Sequence, residues 1–451
     1  MAGRDIRGAG MGFRAYPAYC DSGVEWLGEV PVGWGVKRLK WVASINDEAL
    51  SERADPGMEI AYVDIGSIDH IRGITHKEIL AFGDAPSRAR RVVRDGDVIL
   101  STVRTYLRAI APIRNPEKNL IVSTGFAVIR PLREMLSSYA VFALQAPYFI
   151  ERVVAESVGV GYPAINASDV GCLPIAYPSL AEQRGIVAYL DRETGRIDEL
   201  IGKKEGVIGL LRERRGALIS QVVMKGLDSG ARMKDSGVEW LGEIPAGWKT
   251  RRLKYLSDSP IRNGVGEPSD YDNPDWPRYI RITDIAGPRQ LRADTFRSLP
   301  PEIAANAPVA EGDILLAAVG ATYGKSYLHE HSTGPACYAG YLVKFSPSAN
   351  CLAKFISYWT ESKTYWDQIQ CGMIQATIQN FSASRYRELV SPLPPLAEQR
   401  EIAAYLDRET GKIDALIGKV EGAIALLREY RAALISAAVT GKIDVREREA
   451  A

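Results

Sequence analysis

The most regular apolar pattern in the chain is a 4,3 spacing. It runs through Ile197, Ile201, Lys204, Ile208, Leu211, Arg215, Leu218 and Val222, and again through Ile413, Ile417, Val420, Ile424, Leu427, Arg431, Leu434 and Ala438. Side chains at this spacing line one face of an α-helix and are buried against a second helix. The two stretches are copies: Leu180–Val223, opening LAEQRGIVAYLD, and Leu396–Val439, opening LAEQREIAAYLD, agree at 33 of 44 positions. Neither has another partner of matching length, so the two predicted helices pack on each other. An antiparallel pairing gives the duplicated chain a pseudo-two-fold axis. Ser179-Leu-Ala-Glu182 reads as a capping box at the start of the first helix. Pro395 stands at that position in the second, whose helix must start differently.

A second pair of copies precedes the first. Asp21–Lys40 (DSGVEWLGEVPVGWGVKRLK) and Asp235–Lys254 (DSGVEWLGEIPAGWKTRRLK) agree at 15 of 20 positions. The offsets of 214 and 216 residues make the repeat a half-chain, far longer than the roughly 20–50 residues of a solenoid unit. Between the matched ends, 41–179 and 255–395 share only fragments, such as DGDVIL (Asp95–Leu100) and EGDILL (Glu311–Leu316). Matched scaffolds around unmatched interiors imply one mount carrying two different recognition surfaces. From Ile197 to Val222 the predicted rod is ~39 Å long, close to the ~34–36 Å between half-sites read on one face of a duplex.

Glycine interrupts the helices at Gly195, Gly202, Gly209 and Gly216, with Gly411, Gly418, Ala425 and Ala432 in the second copy. Each mid-helix glycine costs about 0.5–1 kcal/mol relative to alanine. One reading is a tolerated cost in a long, well-packed helix. The other is a small-residue stripe away from the seam, with Gly195, Gly202, Gly209, Gly411 and Gly418 letting another protein's backbone approach.

The interiors mix short β-rich runs (60–65, 97–102, 127–130, 279–282, 313–318, 341–345) with amphipathic helices expected near 138–154 and 353–369, as in compact α+β domains. Basic residues gather in the first interior. Between Asp84 and Arg114 there are seven arginines against three aspartates. Arginine serves both phosphate contact and bidentate reading of guanine, which makes Arg88, Arg90 and Arg91 candidate DNA contacts. So are Arg104, Tyr106 and Arg108, on a loop that follows a predicted strand. Thr322-Tyr-Gly-Lys325 is its counterpart and adds Tyr323 and Lys325. A solvated basic face is the plainer explanation of any one of these residues. Gly-rich or mixed turns before Asn166 (GVGYPAI) and Asn380 (MIQATIQ) allow a close approach or are simple loop punctuation. Trp26, Trp34, Trp240 and Trp248 are expected to pack in cores or against the helices.

Catalytic signals are missing. The sequence holds no Gly-x-x-x-x-Gly-Lys-Ser/Thr loop, no Asn-Pro-Pro-aromatic motif of an amino-methyltransferase and no nuclease-like carboxylate set. His329-x-His331 lacks neighbouring acids or cysteines, and a surface loop is expected there rather than a metal site. Five scattered cysteines fit a reducing compartment. The first twenty residues lack a secretory core, and no apolar run approaches the ~20 residues of a membrane span; the expected location is cytoplasmic. The net charge of +1 means that any nucleic-acid grip is local or shared with partners.

With SGVEWLGEVPVGW (Ser22–Trp34) and SGVEWLGEIPAGW (Ser236–Trp248), and PSLAEQRGIVAYLD (Pro178–Asp191) and PPLAEQREIAAYLD (Pro394–Asp407), each pair present twice in one order, the chain resembles the specificity subunits of type I restriction–modification enzymes. The resemblance implies an α+β fold. Two α/β target-recognition domains are joined by two long antiparallel coiled-coil helices, in a pseudo-two-fold arrangement. The corresponding divisions are an N-terminal arm (1–20), a first recognition domain (21–179), a first spacer helix region (180–226) and a linker (227–234). A second recognition domain (235–395), a second spacer helix region (396–442) and a C-terminal tail (443–451) follow. The resemblance further implies a non-catalytic subunit whose domains each read half of a bipartite double-stranded DNA target. Its implied partners are two modification subunits and the restriction subunits, which would carry S-adenosylmethionine, ATP and Mg²⁺. No base-reading residue carries over, because the family's recognition domains diverge. Two alternatives stay open at this point: a nuclease or methyltransferase with an unrecognised site, and a scaffold that does not touch DNA.

Overall fold

The structure is a computed structural model that describes residues 14–69, 73–159, 161–330, 334–373 and 380–446. The chain forms two compact units, Met1–Lys204 with Gly422–Ala451, and Glu205–Glu421. Each unit therefore contains one recognition domain, the first half of one long helix and the second half of the other.

In the first unit, strands Ile110–Pro112, Val98–Ser101, Phe126–Pro131 and Ala43–Ile45 form an antiparallel sheet in that order. A second sheet runs Glu78–Ala81, Glu59–Val63, Leu120–Ser123, Ala89–Val92, with one parallel pair at its centre. Ile99, Ala111, Val122, Phe126 and Val128 belong to one buried cluster drawn from both sheets. The second unit repeats the plan with Arg262–Asn263, Leu342–Phe345, Ile314–Ala317 and Ser326–Leu328. Beside it is a three-stranded sheet of Arg278–Ile280, Ala336–Tyr338 and Pro308–Val309. The shared DGD/EGD fragments make the same turn. Gly96 and Gly312 take φ of 87° and 86°, a region cheap only for glycine. Asp97 then accepts from the Arg94 N–H at 2.7 Å, and Asp313 from the Ala310 N–H at 2.8 Å.

Where one helix was expected in each interior, two form. Pro147, which donates no hydrogen bond, opens a new helix (Pro147–Ala155) straight after Ser137–Gln145. Ala353–Trp359 and Lys363–Met373 are separated at Ser362, whose hydroxyl accepts from the Tyr365 N–H at 3.4 Å like a helix cap.

The long helices run Leu180–Lys225 and Leu396–Val439. Their first turns are welded into the recognition domains. Gln183, fully buried, accepts from the Leu136 N–H at 2.8 Å and donates to Glu134 O and Pro178 O, both at 2.9 Å. Gln399 does the same with Leu352 N–H, Asn350 O and Pro394 O. The 4,3 residues are the buried or half-buried stripe of both helices, and the pairing is antiparallel. In the second unit Arg215 bonds Asp414 at 3.0 Å, while Arg212, one turn earlier, reaches Glu421 at 3.1 Å. In the first unit the equivalent pair, Arg431 and Asp198, is 2.9 Å apart, and Val439 O lies 3.2 Å from the Tyr139 hydroxyl, near the start of the other helix. Two charged positions in the apolar stripe, Arg215 and Arg431, thus help tie helix to helix, with Arg212 beside Arg215.

Some local expectations are corrected. Ser179 does cap the first helix, its Oγ accepting from the Glu182 N–H at 3.3 Å. The Glu182 carboxylate instead faces Arg446, at 4.0 Å, and its match Glu398 accepts from the Trp248 indole at 2.9 Å. Trp34 and Trp248 are buried and Trp26 stacks on Tyr148, but Trp240 is half exposed. His329 is buried behind strand Ser326–Leu328 rather than in a surface loop, and burial holds its imidazole below the usual value; His331 and His70 lie outside the described residues. Tyr19–Asp21 pairs with Glu29–Pro31, and Asp444 bonds Arg14 O at 2.8 Å, so the strand spans the expected arm boundary and the described part of the tail is folded in.

Candidate nucleic-acid interface

Strand Val98–Ser101 ends in a turn whose middle, Thr105–Leu107, is a short 3₁₀ helix. Both flanking residues are left-handed: Arg104 at φ 49° and Arg108 at φ 53°. A second segment closes over this turn. Val158 and Ala164 bond each other in a hairpin, Pro163 O accepts from the Arg104 N–H at 2.8 Å, and Thr102 O accepts from the Ile165 N–H at 2.9 Å. Thr105 and Ser157 hydroxyls are joined at 2.8 Å. The Gly-rich turn before Asn166 is thereby brought against the arginine loop. The Arg104 guanidinium lies over the Tyr162 ring, 4.9 Å from its centre. Tyr106, Leu107, Val158 and Tyr162 are 53%, 47%, 81% and 68% exposed. Four large side chains left in water beside two arginines form an exposed patch of the kind that marks an interaction site.

The arginine cluster is divided by the fold. Arg88 sits at the same end as this platform, its carbonyl accepting from Thr124 N–H, next to Gly125, whose carbonyl in turn accepts from Thr102 N–H. Arg90 and Arg91 lie on the edge strand Ala89–Val92 of the other sheet; Arg90 covers the Phe82 ring at 4.8 Å and Arg91 is half-buried. Arg94 pairs with Glu48. Arg130 clamps the buried Asp97 through two bonds of 2.8 Å, which keep its guanidinium protonated well above the ordinary value. Arg88, Arg104 and Arg108 have no ion-pair partner among the described residues and remain free to meet anions.

The second unit builds its matching loop differently. Ser101 N–H bonds Ala109 O, and Ala317 N–H bonds Lys325 O; Leu107 N–H bonds Arg104 O, and Tyr323 N–H bonds Gly320 O. This register sets Gly320 and Gly324, with φ of 75° and 80°, against Arg104 and Arg108. The counterpart read from the sequence was shifted: Lys325 matches Ala109, and Tyr323 matches Leu107. Tyr323 is half-buried against the core, while Lys325 is exposed. A Cβ on Gly324 would lie 2.8 Å from Trp366, so no arginine fits there. Sequence reasoning missed Tyr341, 67% exposed, whose carbonyl accepts from Ala318 N–H where Gly125 serves in the first unit. It also missed the matched exposed aromatics Trp41 and Tyr255, 67% and 68% exposed. Their signal was an aromatic directly after the repeated Arg-Leu-Lys. Asn380 bridges Val319, but most of MIQATIQ, residues 374–379, lies outside the described residues.

On the long helices Gly195, Gly202, Gly209, Gly411 and Gly418 are exposed, with open space where a side chain would extend. Matched leucines are also exposed on these helices: Leu200 and Leu416 are 43% and 46% exposed, Leu210 and Leu426 67% and 68%. Among the described residues no three His, Cys, Asp or Glu side chains gather as a metal site, and no helix is long and apolar enough to cross a membrane.

Residues 245–420 match the type I restriction modification DNA specificity domain. The chain is 22% identical over 453 aligned residues, 93% of its length and 96% of the relative's, to a putative type I restriction enzyme MjaX specificity subunit of Methanocaldococcus jannaschii. It is 24% identical over 214 residues to the type I restriction enzyme EcoKI specificity subunit of Escherichia coli, where the match spans 46% of each chain. A chain from a solved type I restriction–modification system, studied for complex assembly and conformational transition, superposes with a TM-score of 0.67 at 25% identity, covering 92% of this chain and 99% of that one. Duplicated scaffold, paired long helices and these likenesses agree: the chain is similar, over nearly its whole length, to the specificity subunits of type I restriction–modification systems, and carries their DNA specificity domain over 245–420.

Proposed function

We propose that this chain is the non-catalytic reading subunit of a type I restriction–modification assembly, each half recognising one part of a bipartite DNA target. The observation that carries the reading is the contrast inside the repeat. Gln183/Gln399 and Asp198–Arg431/Asp414–Arg215 hold both halves by the same bonds, while the loop tips differ in every exposed group. Unpaired Arg88 and Arg108 are assigned to phosphates, and the platform around Arg104 and Tyr106 to the groove. Arg90 and Arg91, on the edge strand of the other sheet, are assigned to phosphates outside the platform, and Lys325 takes the phosphate role in the second half, with Tyr323 supporting its loop. The long helices set the unread gap and dock two modification subunits through the open glycine stripe and the exposed leucines. S-adenosylmethionine, ATP and Mg²⁺ belong to the modification and restriction subunits.

Methyladenine sequencing in cells expressing this chain with its modification subunit tests the reading. A split motif is expected; methylation without sequence preference would overturn it. Chain purified alone and incubated with DNA, Mg²⁺ and S-adenosylmethionine should give no product, and product would favour an enzyme. Arg104→Ala with Arg108→Ala should abolish specific binding by the assembled complex, and unchanged binding would remove this loop from the interface. Gly202→Leu with Gly209→Leu should block assembly; normal assembly would free the glycine stripe from a docking role.

A further inference from the structure

Arg104 and Arg108 share one turn but are presented differently. Both occupy left-handed backbone, where the second half places Gly320 and Gly324. That conformation costs an ordinary residue about 1–2 kcal/mol, so the arginines stand where glycine would suit the turn better. Arg108 extends without a side-chain partner among the described residues. Arg104 is held in place: its guanidinium lies over the Tyr162 ring, 4.9 Å from the ring centre, and its own N–H is anchored to Pro163 O at 2.8 Å. The ring beside it and the anchored backbone restrict where the guanidinium can swing, and no side-chain acceptor among the described residues takes up its N–H groups.

A phosphate can also take the fork bidentately, but its oxygens can be reached from many directions and do not require one fixed approach. The O6 and N7 of guanine are two acceptors in one plane on the major-groove edge, and a planar fork meets both at once. The surroundings point the same way. Tyr106, Leu107 and Val158 are largely exposed, and an apolar rim fits base edges and thymine methyl groups better than a charged backbone. We propose that Arg104, oriented by Tyr162, reads a guanine in the major groove of the half-site bound by the first recognition domain. The proposal rests on the DNA-reading function above and names one of its base contacts. Gly320 and Gly324 leave the second domain without this device, so its half-site is read by other groups.

The test uses the assembled complex of this chain with its modification subunits. The wild-type motif is first mapped by methyladenine sequencing, and competition binding then covers every single base-pair change in both half-sites. Arg104→Ala should lose discrimination at one G·C pair of one half-site by about 10- to 100-fold, with discrimination elsewhere and the salt dependence of binding unchanged. Arg104→Lys keeps the charge, loses the fork and should show the same loss; it also decides the matter if the alanine variant fails to assemble. Tyr162→Ala should give a smaller loss at the same base pair. Uniform weakening on all sequences with a shallower salt slope would make Arg104 a phosphate contact and overturn the proposal. So would a loss confined to an A·T pair, or none. A wild-type complex without a bipartite motif would sink the broader reading first.

Discussion

Gln183 and Gln399 occupy the same place in the two halves and each makes the same three buried hydrogen bonds. Arg108 and Gly324 also occupy the same place, and share only a positive φ. The first pair joins a recognition domain to its helix; the second lies at the tip of a loop. Duplication has kept what joins each recognition domain to its helix and released the exposed loop tip. A buried amide whose partners are all backbone groups has no tolerated substitute, because each orphaned group costs ~1–3 kcal/mol. A loop tip needs only its backbone conformation, which arginine can adopt at a cost and glycine adopts freely.

The largest effect expected from this comparison is at the glutamines. Gln183→Leu and Gln399→Leu should each destabilise their own unit by about 3 kcal/mol, measured by chemical denaturation. Unequal losses would show that the two joints are not equivalent. Next come the helix-to-helix arginines. Arg215 binds Asp414 and also Glu361, at 2.6 Å and nearly buried, whereas Arg431 binds Asp198. Arg215→Met should therefore cost about 1–2 kcal/mol and Arg431→Met about half that, since half-exposed pairs are worth little. A larger loss at Arg431 would reverse the ranking of the two joints.

A smaller effect of opposite sign is expected at the tip. Arg104→Gly and Arg108→Gly should each stabilise the protein by about 0.5 kcal/mol, relief of the left-handed strain outweighing the greater freedom of unfolded glycine, while the assembled complex loses DNA affinity. A destabilised variant would mean that the arginines serve the fold. The smallest difference concerns thiols. Cys20, Cys172 and Cys371 are exposed, while burial pushes the Cys337 and Cys351 thiols up to about 12. At pH 8, alkylation should label the first three and spare the other two until unfolding. A folded-state pKa raised above the unfolded value means that stability present below pH ~8.5 declines as pH rises toward 12. Both buried thiols are in the second unit, so between pH ~8.5 and ~10, before unfolded tyrosines ionise, its denaturation midpoint should fall faster; parallel loss in both units over that range would contradict this.

How much of this was legible in advance follows from the range of the interactions. The 4,3 spacing exposed both long helices and their seam, because a helix repeats its environment every few residues. Asp198 and Arg431 were in plain view but not as a pair, since they are 233 positions apart in the chain. The basic cluster drew attention to Arg104 and Arg108, yet Arg94, equally basic, proved to be tied to Glu48. Tyr162 was read only as part of a glycine-rich turn, and its ring became meaningful when the fold set it under Arg104. The loop register was misjudged by one residue, because similarity in so short a segment is weaker than the hydrogen bonds that define the match.

The order of residues alone thus determined the duplication, the helix period, the turn glycines and the separation of shared mount from unshared interior, all properties carried by local spacing or internal identity. Only the tertiary structure decided which arginines are tied up in ion pairs, which loops meet to form a platform, and which left-handed positions hold a side chain. Those outcomes depend on contacts between residues far apart in the chain, where desolvation and the geometry of the partner, rather than residue type, set the free energy.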